Sequence, residues 1–314
     1  MSIAVISDTL ASMIRIATPL MLMALGGLLC QRAGVFNIAL EGFSLVGAFA
    51  AIAVVQFTSG NVYMGLLGAM VIGAVYSALF ALFITKFKAD NIIASIAMNM
   101  LGMGLTSYLL RAMFDVQGAY SPDKIQKLEM ITIPLIKDIP ILKCISGQSI
   151  VTYFAIAMII VIYIMLFKTK RGLGICAVGE SEEAAKTAGV RPVLVKWEVI
   201  LMSGALSGLA GAYLSTVSVS QFSENMIQGR GFNAFTALVF GNAHPVFSTL
   251  VTLLFGLADA IGIRIELVGI NISPSIIKMF PFLFAILALA VSSYTAKLKM
   301  KGVIGHKKKK EKTA

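Results

Sequence analysis

The sequence predicts an all-α, polytopic integral membrane protein with about nine transmembrane helices, some of them short or broken. Of its 314 residues, 58% are hydrophobic and only 13% are charged, whereas a soluble domain of this length needs more polar surface. Residues 150–167 form an almost unbroken apolar run, which is long enough to cross ~30 Å of hydrocarbon as a helix. Because the apolar runs are continuous rather than alternating, helices are favoured over a β-barrel.

Each predicted span is an apolar run bounded by polar residues, glycine or proline. The nine segments are residues 9–30, 42–57, 63–87, 92–114, 149–168, 197–218, 231–241, 246–265 and 275–295, and counts of eight or ten are the alternatives. The shortest of them is counted as a full crossing. The transmembrane domain is thus predicted to occupy residues 1–296. Since no basic region with a following cleavage site precedes the first apolar run, we expect that run to be a retained span.

The positive charge predicts the orientation. The net charge is +11. Basic residues are concentrated in three regions: the turn at 86–88, the loop 169–196 and the tail 297–314. With the proposed spans these three regions lie on one side, which the positive-inside rule makes the cytoplasm. We interpret the tail as a cytoplasmic segment attracted to anionic headgroups rather than as a nucleic-acid site. Residues 115–148 then form the longest extracellular loop, either a docking surface or an ordinary solvated loop.

The sequence offers no chemistry of its own. It contains no GxxxxGK[ST] motif, and its three cysteines and two histidines lack the spacing of a disulfide framework, a zinc site or a nucleophile–histidine pair. We therefore predict no catalytic residue, no metal and no cofactor. A conduit or carrier is expected rather than an enzyme.

The loop 169–196 contains a predicted short helix. Ser181 suits the N-cap, Glu182 and Glu183 fall in the first turn, Lys186 lies toward the far end and Gly189 suits the position after the C-cap. From the residues alone, this is either a plain surface loop or a compact helix that fits a groove on a partner.

Two apolar segments begin with similar polar motifs. "RAGVFN" at 32–37 and "RGFN" at 230–233 each place arginine and glycine before Phe-Asn and lead into a short or interrupted segment. The similarity is either an internal echo or chance, and an echo predicts that Asn37 and Asn233 approach one another. Transporter sites form where such broken segments from two halves of a protein meet. The candidate residues of the substrate path are Phe36, Asn37, Glu41, Asn91, Asn99, Phe232 and Asn233.

Each candidate has a structural alternative. Asparagine amides offer donors and acceptors to ribose hydroxyls or base edges, and phenylalanine rings stack on bases, but the same rings also suit lipid or core packing. Asn91 and Asn99 lie on nearly one helix face, so that they either line the path or bond a neighbouring helix. Glu41 fits a first-turn carboxylate favoured by the helix dipole as well as a substrate contact.

Four stretches resemble one family. They are "GGLLCQRAGVFNIALEGFSLVGAFAA", "NIIASIAMNMLGMGLTSYL", "LGICAVGESEEAAKTAGV" and "GRGFNAFTALVFGNAHP". Together they resemble permease subunits of bacterial ABC importers in the superfamily that serves branched-chain amino acids, ribose and nucleosides, and in particular its nucleoside branch. The resemblance runs from about residue 26 to residue 256. Gln31 departs from the glutamate that is usual before the arginine.

The resemblance implies the ABC importer permease fold in the cytoplasmic membrane and a nucleoside as cargo. It implies a separate ABC ATPase that uses ATP, a second homologous permease forming a heterodimer, and an extracellular substrate-binding lipoprotein. The predicted helix becomes the ATPase-coupling segment, with the residues Glu180, Ser181, Glu182, Glu183, Ala184, Ala185, Lys186 and Gly189.

Three rival functions stay open at this point. The first is the same type of permease with a simple sugar or another small neutral solute as cargo. The second is an ion-coupled secondary carrier with Glu41 or Asp259 as its proton site. The third is a membrane scaffold that transports nothing.

Overall fold

The protein is helical almost throughout the part described by a computed structural model, which comprises residues 3–131, 144, 146–268 and 279. The helices are α1 (Ile3–Arg32), α2 (Leu40–Phe57), α3 (Val62–Thr85), α4 (Asn91–Phe114), α5 (Ile150–Lys168), α6 (Lys170–Glu180), α7 (Glu182–Thr187), α8 (Pro192–Ala212), α9 (Arg230–Phe240) and α10 (Pro245–Val268). A π-helical segment, Tyr213–Ser218, extends α8. Two compact units are distinguished, Met1–Ala260 and Ile261–Ala314. The contacts and sites described below lie in the first.

Four two-residue strands complete the described elements: β1 (Ala119–Tyr120), β2 (Met130–Ile131), β3 (Gln148–Ser149) and β4 (Phe222–Ser223). They form two antiparallel pairs, β1 with β4 and β2 with β3. These pairs tie the long predicted extracellular loop to the chain after α8 and to the start of α5.

Seven helices in the described part of the chain are long and apolar enough to cross a membrane. They are α1 to α5, α8 with its π-helical extension, and α10. This confirms an all-α polytopic protein. Of the two other predicted spans, 275–295 lies outside the described residues and 231–241 corresponds to α9. The prediction that 231–241 crosses as a helix is wrong, because the 11 residues of α9 extend only about 16 Å, half the hydrocarbon thickness.

Two helices form the centre of the bundle. In both α1 and α2, 83% of the most apolar window is buried, against 39% in α3, 33% in α4 and 28% in α5. The outer helices expose rows of large apolar side chains, as helices do when they face lipid.

Small residues let α8 lie against α2 and α3. A Cβ added to Gly204 or Gly208 would collide with α3, at Ser77 and the Ala69 carbonyl respectively, and one added to Gly211 would collide with the Ser44 carbonyl of α2. The stripe of small residues in "SGALSGLAGA" therefore packs inside this chain, by the close backbone approach that such stripes permit in lipid.

The basic loops gather at one end of the bundle. The Trp197 indole N–H donates to Thr85 Oγ1 at 3.0 Å, which joins the start of α8 to the end of α3. Gly34, after α1, lies against Gly179 of α6. We call this the basic end. The opposite end carries β1, β4 and the turn before α3. The predicted grouping of the two basic loops is thus confirmed, while the basic tail lies outside the described residues.

Candidate functional site

The first helix hairpin is broken inside the bundle. Residues 33–39 between α1 and α2 are not helical, so that their backbone groups need partners other than those a helix supplies. The prediction that a break follows Arg32 is confirmed, with α2 resuming at Leu40. Ala39, at the N-cap of α2, makes no capping bond through its own side chain.

Asn37 supplies a hydrogen-bond acceptor to the backbone of this break. Its side chain is 1% exposed, and its Oδ1 accepts a hydrogen bond from the Ala39 N–H at 2.9 Å. Its Nδ2 donates to Ser203 Oγ at 3.1 Å and lies 3.6 Å from Cys30 Sγ. The amide thus binds the break to α1 and α8, and its contact with cargo stays a prediction.

Asn99, on α4, binds further backbone groups of the break and of the start of α2. Its Oδ1 accepts the Gly42 N–H at 2.8 Å and its Nδ2 donates to the Ile38 carbonyl at 3.2 Å. Ser95 Oγ accepts the Ile38 N–H at 3.1 Å. Of the two readings of Asn99, bonding to a neighbouring helix is therefore the one its contacts support. Asn91, two turns away at the start of α4, is half-buried.

Glu41 connects the first break to a second one. Its carboxylate is in the first turn of α2 and 7% exposed. Oε1 accepts the Gly229 N–H and Oε2 accepts the Gly231 N–H, both at 2.7 Å. Gly229 is the N-cap of α9 and has no side chain with which to cap. Glu41 is therefore the cap of α9, and its negative charge lies where the dipole of α9 favours it.

Both broken segments therefore begin a helix inside the bundle with partners from elsewhere in the chain. Gly231 approaches Glu41 so closely that a Cβ there would lie 2.5 Å from the Glu41 nitrogen. The second motif contacts Glu41, four residues after the first motif, through Gly231, whereas the approach of Asn37 to Asn233 stays a prediction. No hydrogen bond between Asn37 and Asn233 is found among the described residues.

Of the two phenylalanine candidates, one packs inside the bundle and the other is exposed. Phe36 is half-buried and meets Phe235 of α9 edge to face, with ring centroids 4.8 Å apart. Phe232 is 49% exposed, and the neighbouring Asn233 is half-buried. Phe36 thus serves packing between the two broken segments, while Phe232 and Asn233 lie at the surface of this single chain.

A cavity of about 510 Å³ opens near the start of α9, within the range of ~300–1,000 Å³ typical of small-molecule sites. Its walls are α1, the π-helical segment, the residues before α5 and the chain leading into α9. The polar side chains lining it are those of Arg15, Ser149, Tyr213, Ser218, Ser223, Gln228 and Arg230. We call it the outer cavity. No acidic side chain is among the described residues that line it.

Two arginines supply the charged side chains that line the outer cavity. Arg15 is exposed and lies about 26 Å along the axis of α1 from Arg32, at 1.5 Å per residue. Arg230 is held by bonds from Nη1 to the carbonyls of Met226 and Ile227, both at 3.2 Å. Guanidinium donors in a water-accessible recess, of which that of Arg230 is held in place, can bind acceptor-rich solutes.

None of the seven predicted path residues is among the described residues lining the outer cavity. Sequence reasoning missed Arg15, Gln228 and Tyr213 and used Arg230 only as part of a motif. One sequence feature could have found Arg15, because an arginine inside an apolar helix is a functional candidate by default. The π-helical segment that supplies Tyr213 has no comparable pattern, although such segments are frequent at functional sites.

The predicted short helix in the loop 169–196 is confirmed as α7. The Ser181 Oγ accepts the Ala184 N–H at 3.3 Å as the N-cap, and Gly189 adopts a φ of 83° after the last turn, a conformation that suits glycine. Glu182 forms an ion pair with Lys196 at the start of α8. Glu180 belongs instead to α6, a helix that the sequence analysis did not predict.

The bundle combines broken membrane segments with a polar outer cavity at the start of one of them, an arrangement that suits a transport permease. The family model described as branched-chain amino acid transport system, permease component, matches residues 9–291, and this chain belongs to that family.

Named relatives of this chain are permeases of ABC transporters. It is 31% identical to the nucleoside ABC transporter permease protein NupC of Lactococcus lactis over 90% of each chain. It is 35% identical to the guanosine ABC transporter permease protein NupQ of Bacillus subtilis, over 87% of this chain and 88% of the relative. A putative glucose ABC transporter permease protein, TsgC13 of Haloferax volcanii, is 29% identical over 83% and 79%.

Proposed function

We propose that this protein is the permease subunit of an ATP-driven importer and that it moves nucleosides across the cytoplasmic membrane. The observation that carries the proposal is the outer cavity, which places two arginines, a glutamine and several hydroxyl groups around about 510 Å³ at the start of a broken helix. The names of two relatives, which specify a nucleoside and guanosine, support the same cargo.

The chemistry of the outer cavity suits a neutral solute rich in hydrogen-bond acceptors. Guanidinium groups donate to base oxygens and ring nitrogens, as they do to O6 and N7 of guanine, and also to ribose hydroxyls. Serine hydroxyls and the Gln228 amide supply both donors and acceptors. We assign Arg15 and Arg230 the role of cargo contacts, with Phe232 and Asn233 on the same broken segment as further candidates.

The geometry favours ATP-driven transport over a carrier that uses Glu41 as its proton site. Both carboxylate oxygens of Glu41 accept backbone N–H bonds that the start of α9 needs. Protonation and release of this side chain would leave those donors unpaired inside the bundle, at a cost of about 1–3 kcal/mol each. Glu41 thus serves as a fixed cap in the proposed mechanism.

Orientation and partners follow from the same proposal. The basic end faces the cytoplasm, where α6 and α7 dock on a separate ABC ATPase, and the C-terminal tail lies on that side. A second homologous permease completes the path, and an extracellular binding lipoprotein delivers cargo to the opposite end. The outer cavity lies toward that end, as a receiving site requires.

The test is uptake by proteoliposomes that contain this chain with its ATPase, partner permease and binding protein. We expect ATP-dependent uptake of radiolabelled guanosine, adenosine, uridine or cytidine and no uptake of glucose. Replacement of Arg15 (Arg15→Gln) should lower nucleoside uptake by about tenfold, since one charged hydrogen bond contributes about 1.5–3 kcal/mol.

Arg111→Gln is the matched control. Arg111 is 56% exposed and faces Glu224 at 4.0 Å, and it does not line the outer cavity, so its replacement should leave uptake unchanged. If the importer takes up glucose but none of the nucleosides, the cargo is a sugar and the nucleoside proposal is wrong. An Arg15→Gln variant that transports normally would remove this arginine from the path.

A further inference from the structure

The short helix α9 is held at both of its ends by the residues that flank the first break. At its start, Glu41 accepts the Gly229 and Gly231 N–H groups at 2.7 Å. Beyond its last turn, Arg32 Nε donates to the Ala243 carbonyl at 2.8 Å, and Nη2 lies 3.4 Å from the Asn242 carbonyl.

This two-point attachment matches the charges of the helix. A carboxylate at the start and a guanidinium at the end of a helix both interact favourably with its dipole. Arg32 is the last residue of α1 and Glu41 lies in the first turn of α2. Residues 33–39 and α9 are therefore bound as one body, which we call the clamped unit.

The clamped unit reaches the outer cavity at one end. Arg230 is the first residue of α9 and lines the outer cavity, and Gln228 lines it two residues earlier. A displacement of the clamped unit therefore changes the position of two cavity side chains.

At the basic end the same unit touches α6, backbone to backbone. A Cβ on Gly179 would collide with the Arg32 carbonyl oxygen and would lie 3.1 Å from the Gly34 nitrogen. A Cβ on Gly34 would lie 3.3 Å from the Gly179 Cα. Gly34 also has a φ of 75°, which favours glycine. Because no flexible side chain lies between them, a push on the end of α6 is passed directly to the turn after α1.

The remaining link joins α6 to α7. The chain passes from Glu180 through Ser181 into α7, with Ser181 serving as the C-cap of the first helix and the N-cap of the second. Movement of α7 therefore acts on Gly179 through a connection of two residues.

We propose that the Gly179–Gly34 contact is a mechanical junction, through which displacement of α6 and α7 moves the clamped unit and reshapes the outer cavity. This inference rests on the proposed coupling to an ATPase. It assigns that coupling a route: α7, α6, Gly179, the break at 33–39, Glu41 and α9. Closely packed interfaces in proteins switch between discrete arrangements rather than deform continuously, so we expect displacement of α6 to move the clamped unit as a body.

The first experiment is substitution of the junction in the assembled importer. Gly179→Ala forces α6 away from Arg32, whereas Gly174→Ala on the same helix meets only Val190 Cγ1 at 3.8 Å, an ordinary contact. We expect Gly179→Ala to keep ATP hydrolysis while uptake per ATP falls by about fivefold or more, the usual size of an allosteric coupling. Gly174→Ala should match the wild type. Equal uptake per ATP in the two variants overturns the proposal.

The second experiment does not depend on a variant of the junction or on the identity of the cargo. Spin labels are placed at exposed positions of α6, α9 and α3 through Leu173→Cys, Val239→Cys and Val71→Cys. Helix α4 is avoided as a reference because Ser95 and Asn99 bind it to the break. Between the ATP-bound and ADP-bound importer, we expect the α6–α9 distance to stay constant and the α9–α3 distance to change. A fixed α9–α3 distance while α6 moves relative to α3 overturns the junction, whereas absence of uptake of every nucleoside tested counts against the proposed function alone.

Discussion

At the scale of single residues, the polar side chains inside the bundle serve the backbone of two broken segments. Asn37, Asn99 and Ser95 bind backbone groups of Ile38, Ala39 and Gly42. Glu41 binds the Gly229 and Gly231 N–H groups at the start of α9. A helix that begins away from water leaves N–H donors that only such side chains can satisfy. The stability of the bundle thus depends on residues that resemble substrate ligands in the sequence.

The Glu41 cap gives the sharpest test at this scale. Glu41→Gln keeps the shape but replaces one acceptor oxygen with an NH₂ donor, so that one of the Gly229 and Gly231 N–H groups loses its partner. We expect the free energy of unfolding to fall by about 1–3 kcal/mol, measured by thermal unfolding in detergent, together with lower uptake.

Glu198→Gln provides the comparison for that variant. The Glu198 side chain is 47% exposed and 3.9 Å from Arg171, and loss of such a surface pair should change stability by no more than about 0.5 kcal/mol. Equal unfolding temperatures for the Glu41 and Glu198 variants would show that the α9 cap contributes nothing to stability.

At the scale of elements, α7 presents its charges on the surface of the basic end. Glu182, Glu183 and Lys186 are exposed, and Ala185 is buried beneath them. The helix has only six residues, so it owes its stability to its caps and to its attachment to α8 rather than to its own propensity. Glu182 is paired with Lys196 of α8, and Glu183 and Lys186 are exposed beside it.

Reversal of these charges should uncouple the importer. In the double variant Glu182→Lys with Glu183→Lys, we expect insertion and assembly to persist while uptake is lost and ATP hydrolysis continues, because the surface charges steer and orient the contact with the ATPase. Uptake and hydrolysis measured on the same vesicles check this.

A third substitution distinguishes loss of the ATPase contact from loss of the ion pair between α7 and α8. Adding Lys196→Glu restores an ion pair between positions 182 and 196 without restoring the outer charges. Uptake should stay low if the charges act on the ATPase. Recovery of uptake in the triple variant would mean that the ion pair to α8, and not the partner contact, was the important interaction.

At the scale of the whole molecule, the protein places an ordered polar framework inside an apolar rim. The central α1 and α2 are mostly buried, while α3, α4 and α5 expose apolar side chains. The two breaks lie next to the centre, where neighbouring helices can satisfy their backbone groups. The outer cavity then forms beside the framework, on the side of α1 and the π-helical segment.

The source of energy is tested with the intact importer. We expect nucleoside uptake by cells to stop when ATP is depleted and to continue when the proton gradient is dissipated at constant ATP. The opposite pattern would support an ion-coupled carrier and contradict the ATP-driven importer.

Several elements of this arrangement were predicted from local sequence. Continuous apolar runs predicted the membrane helices, and the caps at Ser181 and Gly189 predicted α7. The polar motif after Arg32 predicted the break between α1 and α2. The segment 231–241 agrees with α9 in length and to within one residue in position, but its count as a full helical crossing was incorrect, because an apolar run of 11 residues does not reveal where the chain before it enters the bundle.

The sequence by itself determined that this is a polytopic helical membrane protein, where its first break lies and which loop carries its short helix, since these depend on local composition and spacing. The permease class came from the resemblance of four stretches to a known family. Only the tertiary structure decided which polar residues face one another. Glu41 caps a helix that begins nearly 190 residues later, Asn37 and Asn99 turn inward, and Arg15 and Arg230 line the same outer cavity. Such pairings arise from the packing of distant helices, and the periodicity of a single segment carries no information about its partner.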